Sequence, residues 1–402
     1  MTETTPTPEI DIDDAGEFQT ARLVTIAGGH AVHDSFTAFL APLLPRFVEK
    51  LSLSNTAAGL LSTFLQLPGL LQPVIGHLAD RTTLRWLVVL GPAVTATAMS
   101  VLGWAPTYAV LALLLLLAGV SVAAFHATAP VAVGYLAGNQ LGRGMGFFMV
   151  GGELGRTIGP LVVVSALTVM SVQSLAFLAL AGIATSVVLY FRLRDVSLRG
   201  RGDGDPIQWR TAVRAMRGLM TLLAGLVAVR SLMMMSITIF LPIFLTEEGS
   251  SIWLAGAALS IVEAAGIAGA LAGGWLSDHV GRKAVLVFGH VAAPTALLMF
   301  LAADGVIRIA LLPVIGFTLL AIPPVIRALV QERFPKTRAL ANGVYLSLNF
   351  AIRSIAAIVF GAVGDVFGLT TAMLIAAFAT FGGLPLIWLL FRQSSSSQLT
   401  SD

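Results

Sequence analysis

From Ala21 onwards, long apolar runs alternate with short polar breaks. An α-helix needs ~20 apolar residues to cross a bilayer core, and the runs lack the short period-two alternation of barrel strands. They fall at 21–47, 55–79, 86–104, 107–130, 143–168, 172–192, 218–246, 253–277, 284–302, 305–330, 339–364 and 369–391. The pattern predicts an all-α membrane protein with twelve transmembrane helices. Ahead of them, residues 1–20 carry Glu3, Glu9, Asp11, Asp13, Asp14 and Glu17 with no Lys or Arg. A secretory signal needs a basic start and a short apolar core, so this segment is expected to be a disordered cytoplasmic tail.

Composition narrows the class. Of 402 residues, 56% are hydrophobic and 11% charged, against about 25% charged in soluble domains. A soluble enzyme and a singly anchored soluble domain are both excluded. The absence of cysteine removes disulfide and thiolate chemistry. No Gly-x4-Gly-Lys-Ser/Thr loop occurs, so the chain has no built-in ATP motor. The placement of basic residues is more informative than the net charge of +3. With the N-terminus inside, 17 of the 24 Lys and Arg fall on inner segments, three (Arg46, Lys50, Arg308) on outer ones, and four (Arg156, Arg230, Arg327, Arg353) within spans. This positive-inside bias and the even span count predict that both termini are cytoplasmic.

The two halves align. Leu44-Pro45 matches Leu241-Pro242, Gly59 matches Gly256, Gly146 matches Gly343 and Arg156 matches Arg353, all at an offset of 197. The segment Gly76–Asp80 matches Gly274–Asp278 at an offset of 198. Parallel repeats of this kind build a major class of secondary transporters. The expected organisation is an N-terminal six-helix bundle (21–192), a cytoplasmic linker (193–217), a C-terminal six-helix bundle (218–391) and a cytoplasmic tail (392–402), disordered from Ser394. Arg210, Arg214 and Arg217 lie at i, i+4 and i+7 in the linker, which suits either a surface helix on anionic headgroups or an ordinary basic connection.

Two inner loops carry a shared motif. Gly76-His77-Leu78-Ala79-Asp80-Arg81, ending at Arg85, and Gly274-Trp275-Leu276-Ser277-Asp278, ending at Arg282-Lys283, resemble the loop signature of the major facilitator superfamily. The glycine permits close helix approach, and the arginines can hold acidic partners across a gate. Span five has Gly146, Gly155, Gly159 and Pro160 at the spacing of that superfamily's antiporter signature, with Val163 and Val164 in place of its terminal glycines. The same small residues also serve as a packing face. Gly29-His30-Ala31-Val32-His33-Asp34, Pro42-Leu43-Leu44-Pro45, Gln72-Pro73 and Phe125-His126 together resemble the fosmidomycin-resistance-type exporters. Ala127 stands where that group usually has proline. The resemblance implies the twelve-helix major facilitator fold and export by antiport.

The remaining candidates are charges inside spans: Asp34, Glu153, Glu263, Arg156, Arg230, Arg327 and Arg353. A central charge costs ~3 kcal/mol on insertion scales, so seven isolated ones cost on the order of 20 kcal/mol. They must pair, snorkel or face a wet cavity. Glu153 and Arg156 are spaced to neutralise one another. Asp34, with His30 one turn before it and His33 adjacent, is the preferred proton-coupling site, or else a fixed hydrogen-bonded pair with His30. A metal site from His30, His33 and Asp34 has no fourth ligand and is not expected. Arg230 is the repeat position of His33, so the two are expected to face each other across the halves, with Arg230 offering a bidentate contact to a phosphonate, phosphate or carboxylate. Glu263 is the repeat position of Gln66 and a second proton-coupling candidate. Gln66, Glu153, Arg156, Arg353 and His126 join Arg230 as substrate-binding candidates. His126 and Arg327 are expected near the cytoplasmic ends.

These features predict a proton-coupled exporter of a drug or small anionic metabolite in the cell membrane. Its partners are the bilayer, protons and a small molecule, with no nucleic acid and no cofactor beyond the proton gradient, and it works as a monomer. Uptake by proton symport uses the same parts. A non-cycling sensor or scaffold would ordinarily lose a gate motif or gain a soluble domain. No nucleophile–base set marks an enzyme.

Overall fold

The computed structural model describes residues 18–72, 74–75, 85–196, 209–334 and 337–398, and among them there is no strand. Gly76, Asp80 and Arg81 of the first loop motif, residues 1–17 of the acidic segment and residues 197–208 of the linker lie outside the described residues. The helices are α1 (Thr20–Thr37), α2 (Leu40–Leu51), α3 (Asn55–Gln66), α4 (Arg85–Ser100), α5 (Tyr108–Ala137), α6 (Leu141–Val169), α7 (Ala179–Leu193) and α8 (Trp209–Thr238). They continue as α9 (Leu241–Glu247), α10 (Ile252–Val280), α11 (Arg282–Ala302), α12 (Gly305–Leu320), α13 (Ile322–Arg333), α14 (Arg338–Phe367), α15 (Leu369–Phe381) and α16 (Gly383–Gln398). Among the described residues, ten stretches from Arg85–Trp104 to Leu369–Arg392 are long and apolar enough to cross a membrane. The chain is a multi-pass membrane protein.

The first two apolar runs are not among the ten: the helix of the first carries Arg22, His30, His33 and Asp34, and residues 73 and 76–79 of the second lie outside the described residues. Span one parts at Ala38-Phe39, and span two turns into a 3-10 segment at Leu67–Leu71. Proline removes the bond to the carbonyl four residues earlier. Ala38 precedes Pro42 by four, Thr238 at the α8–α9 break precedes Pro242 by four, and Leu320 at the α12–α13 break precedes Pro324 by four. At the other end, α16 runs through the serines to Gln398, where the sequence reading expects disorder from Ser394. Serine lies less than ~1 kcal/mol below alanine in helix propensity, so an established helix extends through it.

Helices α1 to α7 pack chiefly on one another, with α1 on α6 and α4 on α7 the largest contacts. Helices α8 to α16 do the same, through α10 on α12 and α8 on α14. Between the two groups, α3 packs on α14, α6 on α10 and α2 on α9. Repeat-related residues recur at this seam. Ser54 and Ser251, 197 apart, cap α3 and α10 through Ala57 N (3.2 Å) and Leu254 N (3.2 Å). A Cβ on Gly59 would strike the Ala357 carbonyl, and one on Gly256 would strike Val164. Both glycines therefore allow close approach to the opposite group.

Candidate functional site

The site begins with small residues on α6. Gly151, Gly155 and Gly159 recur every fourth position and lie against the backbone of Ala27, Ala31 and Ser35 on α1, with no room for a Cβ at any of the three. Close backbone approach is the usual role of small residues in membrane helix pairs. The span-five glycines thus form a packing seam with α1. Gly146, from the same motif, faces open space, and Pro160 borders the cavity described below.

The seam brings Arg156 to Asp34, with Nη1 3.4 Å from Oδ2. His30 Nε2 lies 3.3 Å from the same oxygen, and His126 Nε2 on α5 lies 3.5 Å from Oδ1. The two imidazoles also meet, Nε2 to Nε2, at 3.2 Å. Each is oriented from behind by a backbone carbonyl: His30 Nδ1 is 2.7 Å from Phe148 O and His126 Nδ1 is 3.0 Å from Val122 O. Arg156 pairs with Glu153 on its own helix, as their spacing suggests. It also reaches Glu263 of α10 at 3.8 Å, across the seam between the two groups of helices.

A cavity of about 440 Å³ opens between the groups. Asp34, Gln66, His126, Glu153 and Arg156 of the first group line it, with Glu263, Arg230, Arg327, Arg353, Tyr345 and Asn349 of the second. His126 and Arg327, expected toward the span ends, are therefore cavity residues. His33 is not: it is fully buried, stacks on Phe125 at a centroid distance of 4.4 Å, and does not face Arg230. The aromatic packing of α5 against α1 overrides the symmetry that the repeat offset suggests. His30 stands behind Asp34, stacked on Phe148 at 3.9 Å. Gln66 donates to Ser62 Oγ at 2.8 Å on its own helix.

The cavity arginines of the second group have no such partners. Arg230 is 2% exposed, and its Nε and one Nη donate to no acceptor; nor does Arg353 Nε. Among the described residues, no hydrogen bond or ion pair reaches Arg230, Arg327 or Arg353. The Tyr345 hydroxyl and Asn349 Oδ1 are also buried without a partner. Tyr345 and Asn349 escaped the sequence reading, although with Arg353 they form an i, i+4, i+8 stripe on α14.

The gate residues hold their own halves together. Arg282 bonds Asp278 at 2.6 Å and Glu332 of α13 at 2.7 Å, so its acidic partners lie within the second group of helices and not across the gate. Gly281, at φ +91°, makes the tight reversal between α10 and α11. Gly274 has open space where a close helix approach is expected, and Lys283 is exposed. Arg85 Nη1 donates to the Arg194 carbonyl at 2.8 Å, and its guanidinium lies 5.0 Å from the Tyr190 ring.

The two groups close at one end of the cavity. The Asp365 carboxylate at the end of α14 accepts from Asn55 N (2.5 Å), Thr56 N (2.9 Å) and Thr56 Oγ1 (2.5 Å) at the start of α3. Thr63 Oγ1 donates to Ser354 O at 2.9 Å. A Cβ on Gly146 or Gly343 would have nothing within 4 Å.

The sequence model of the Major Facilitator Superfamily matches residues 26–357, and again 273–401. The chain is 25% identical over 382 residues to the "Fosmidomycin resistance protein" of Escherichia coli (strain K12), covering 91% of this chain and 92% of that one. It is 23% identical over 373 residues to an uncharacterized MFS-type transporter, YfnC, of Bacillus subtilis (strain 168), covering 90% and 91%. Among solved structures it resembles the inward-facing, occupied bacterial homologue of the human lysosomal transporter Spinster, with a TM-score of 0.79, 14% identity and coverage of 93% and 97%. It also resembles the nucleoside transporter NupG, with a TM-score of 0.74, 16% identity and coverage of 92% and 99%. An all-helical membrane chain with a charged cavity between two packed groups of helices, matched by that model over most of its length, belongs to the major facilitator superfamily, whose members are transporters and not enzymes.

Proposed function

We propose that the chain is a proton-coupled exporter of a small anionic compound, working as a monomer in the cell membrane by alternating access. In this reading it has twelve spans in two six-helix halves (21–192 and 218–391), joined by the 193–217 linker, with both termini cytoplasmic. The broken spans one and two complete the count of ten. In this reading the cavity faces the cytoplasm, because Asn55 and Asp365, which join the two groups, lie in outer segments and most basic residues fall on inner ones.

One observation carries the coupling: Arg156 is shared between Asp34 and Glu153 in one half and Glu263 in the other. Asp34 is held by three side chains of its own half, so Glu263, whose ion pair crosses the seam, is the better-placed proton carrier. A proton on Glu263 removes its attraction to Arg156 and frees the halves to rock apart. Deprotonation on the inner side restores the link. One proton crossing ~100 mV supplies ~2.3 kcal/mol and one pH unit adds ~1.4 kcal/mol, which supports a gradient of a few hundredfold. The unpartnered arginines supply the anion site, by charge-assisted and bidentate contacts. The Escherichia coli relative, named for drug resistance, supports export.

The test is proteoliposome transport with Glu263→Gln. Substrate-driven proton flux is expected to fall at least tenfold while substrate binding persists; undiminished flux refutes the coupling. A susceptibility panel with fosmidomycin, phosphonates and carboxylates, on cells with and without the gene, tests class and direction. Resistance that vanishes when the proton gradient is collapsed supports export, whereas sensitisation supports the symport reading.

A further inference from the structure

We infer that His30, His126 and Asp34 form a binding site for one divalent transition-metal ion, of the Zn²⁺ or Co²⁺ kind, in the wall of the cavity. Backbone carbonyls fix the tautomers of both histidines. A carbonyl oxygen can only accept a hydrogen bond, so Nδ1 of His30, 2.7 Å from Phe148 O, and Nδ1 of His126, 3.0 Å from Val122 O, both carry hydrogen. In a neutral imidazole the other nitrogen is then a bare lone pair. Two such lone pairs point at one another across 3.2 Å, beside a carboxylate whose Oδ2 lies 3.3 Å from His30 Nε2 and whose Oδ1 lies 3.5 Å from His126 Nε2; one atom from each residue falls within 4.8 Å of the other two. Three acceptors this close repel one another unless a cation lies among them.

Their spacing suits a metal. Ligands with ~2.0 Å bonds to a tetrahedral ion stand about 3.3 Å apart. Backbone carbonyls behind both imidazoles are the second shell that ligating histidines usually have. Asp34 is 3% exposed and its Oδ1 accepts no hydrogen bond, leaving that oxygen free to coordinate, while Oδ2 keeps Arg156. The nearby guanidinium opposes a second cation, but Asp34, Glu153 and Glu263 surround it with three carboxylates. Asp34 and His126 border the cavity, and the His126 side chain is 28% exposed. The fourth coordination position thus opens toward the transported compound. From the sequence, a metal set of His30, His33 and Asp34 is not expected, for want of a fourth ligand. The structure removes His33 to a stack on Phe125 and supplies His126 in its place.

The experiment uses the purified full-length chain in detergent with any affinity tag cleaved. Co²⁺ is titrated by its visible absorption and Zn²⁺ by calorimetry, so no transport assay is involved. One saturable equivalent per chain is expected, weakened at least tenfold by His126→Gln and by Asp34→Asn, and unchanged by His279→Gln, a surface histidine control. Monodisperse elution of each variant checks its folding, and wild-type stoichiometry is informative even if a variant aggregates. Absence of saturable binding in the wild type overturns the site. So does binding that survives His126→Gln or disappears with His279→Gln.

Discussion

Asp34 and Arg230 are both almost wholly buried and both border the same cavity, at 3% and 2% exposure. Asp34 is met by His30, His126 and Arg156, whereas no partner reaches Arg230, Arg327 or Arg353 among the described residues. Burying an ion costs several kcal/mol that only a well-placed opposite charge returns. The carboxylate of the first cluster has a guanidinium and two imidazoles of the protein around it. The guanidinium atoms Arg230 Nε and Arg353 Nε of the second are buried with no hydrogen-bond partner.

The sharpest way to break this contrast is to remove each charge and compare the signs. Asp34→Ala leaves Arg156 and two imidazoles without their shared anion, and removal of one member of a buried pair costs ~3–5 kcal/mol. Arg230→Met removes a cation that has no partner, so stability is expected to hold or rise. Thermal unfolding of both variants in detergent reads this directly. If both fall by similar amounts, the two clusters are alike and the distinction fails.

The second test supplies the missing anion. Ligand that binds only the folded state stabilises it, by about 2.7 kcal/mol at one hundred times its dissociation constant. Inorganic phosphate or a small phosphonate is expected to raise the unfolding temperature of the wild type and not of Arg230→Met. Arg230→Lys keeps the charge but loses the planar fork, and a charge-assisted bond is worth ~1.5–3 kcal/mol. The anion's apparent affinity should therefore weaken between about tenfold and a hundredfold. An equal shift in wild type and Arg230→Met would place the anion elsewhere.

The two clusters also differ in how readily sequence reveals them. Long apolar runs and the 197-residue offset carry the helical layout, and Asp34, Glu263 and Arg230 stand out as charges in apolar surroundings. Breaks at Ala38, Thr238 and Leu320 follow from the prolines four residues on. The partner set of Asp34 does not, because it depends on which helix faces α1. His126 and His33 are equally polar neighbours in sequence terms, and only the stacking of His33 on Phe125 decides between them. Tyr345 and Asn349 were hidden for a different reason. Neither is charged, and they stand out only as a three-residue stripe with Arg353, at every fourth position of a helix that already reads as apolar.

A smaller effect separates the clusters by their dependence on backbone packing. A Cβ on Gly155 would meet the Ala31 carbonyl and the Asp34 side chain, so Gly155→Ala pushes α6 away from α1. Overpacking of this kind costs ~1–3 kcal/mol. Arg156 would lose its contact with Asp34, while the arginines of α8, α13 and α14 stay in place. Proton flux should therefore drop while stabilisation by phosphate persists. Gly146→Ala, in open space on the same helix, is the matched control and should leave both unchanged.

The smallest expected effect comes from a pair that resembles the Asp34 cluster in geometry and not in setting. Arg282 and Asp278 lie 2.6 Å apart, closer than Arg156 and Asp34, yet the Asp278 side chain is 60% exposed and Glu332 holds the same guanidinium. Water screens such a pair, and exposed ion pairs contribute ~0.2–1 kcal/mol. Asp278→Asn should thus shift the unfolding temperature far less than Asp34→Ala, despite the shorter distance. Because both partners lie in one half, its effect on transport should appear in the rate of cycling and not in anion affinity. A loss of stability equal to that of Asp34→Ala would mean that distance, and not burial, sets the worth of these pairs, and the contrast between the clusters would need another cause.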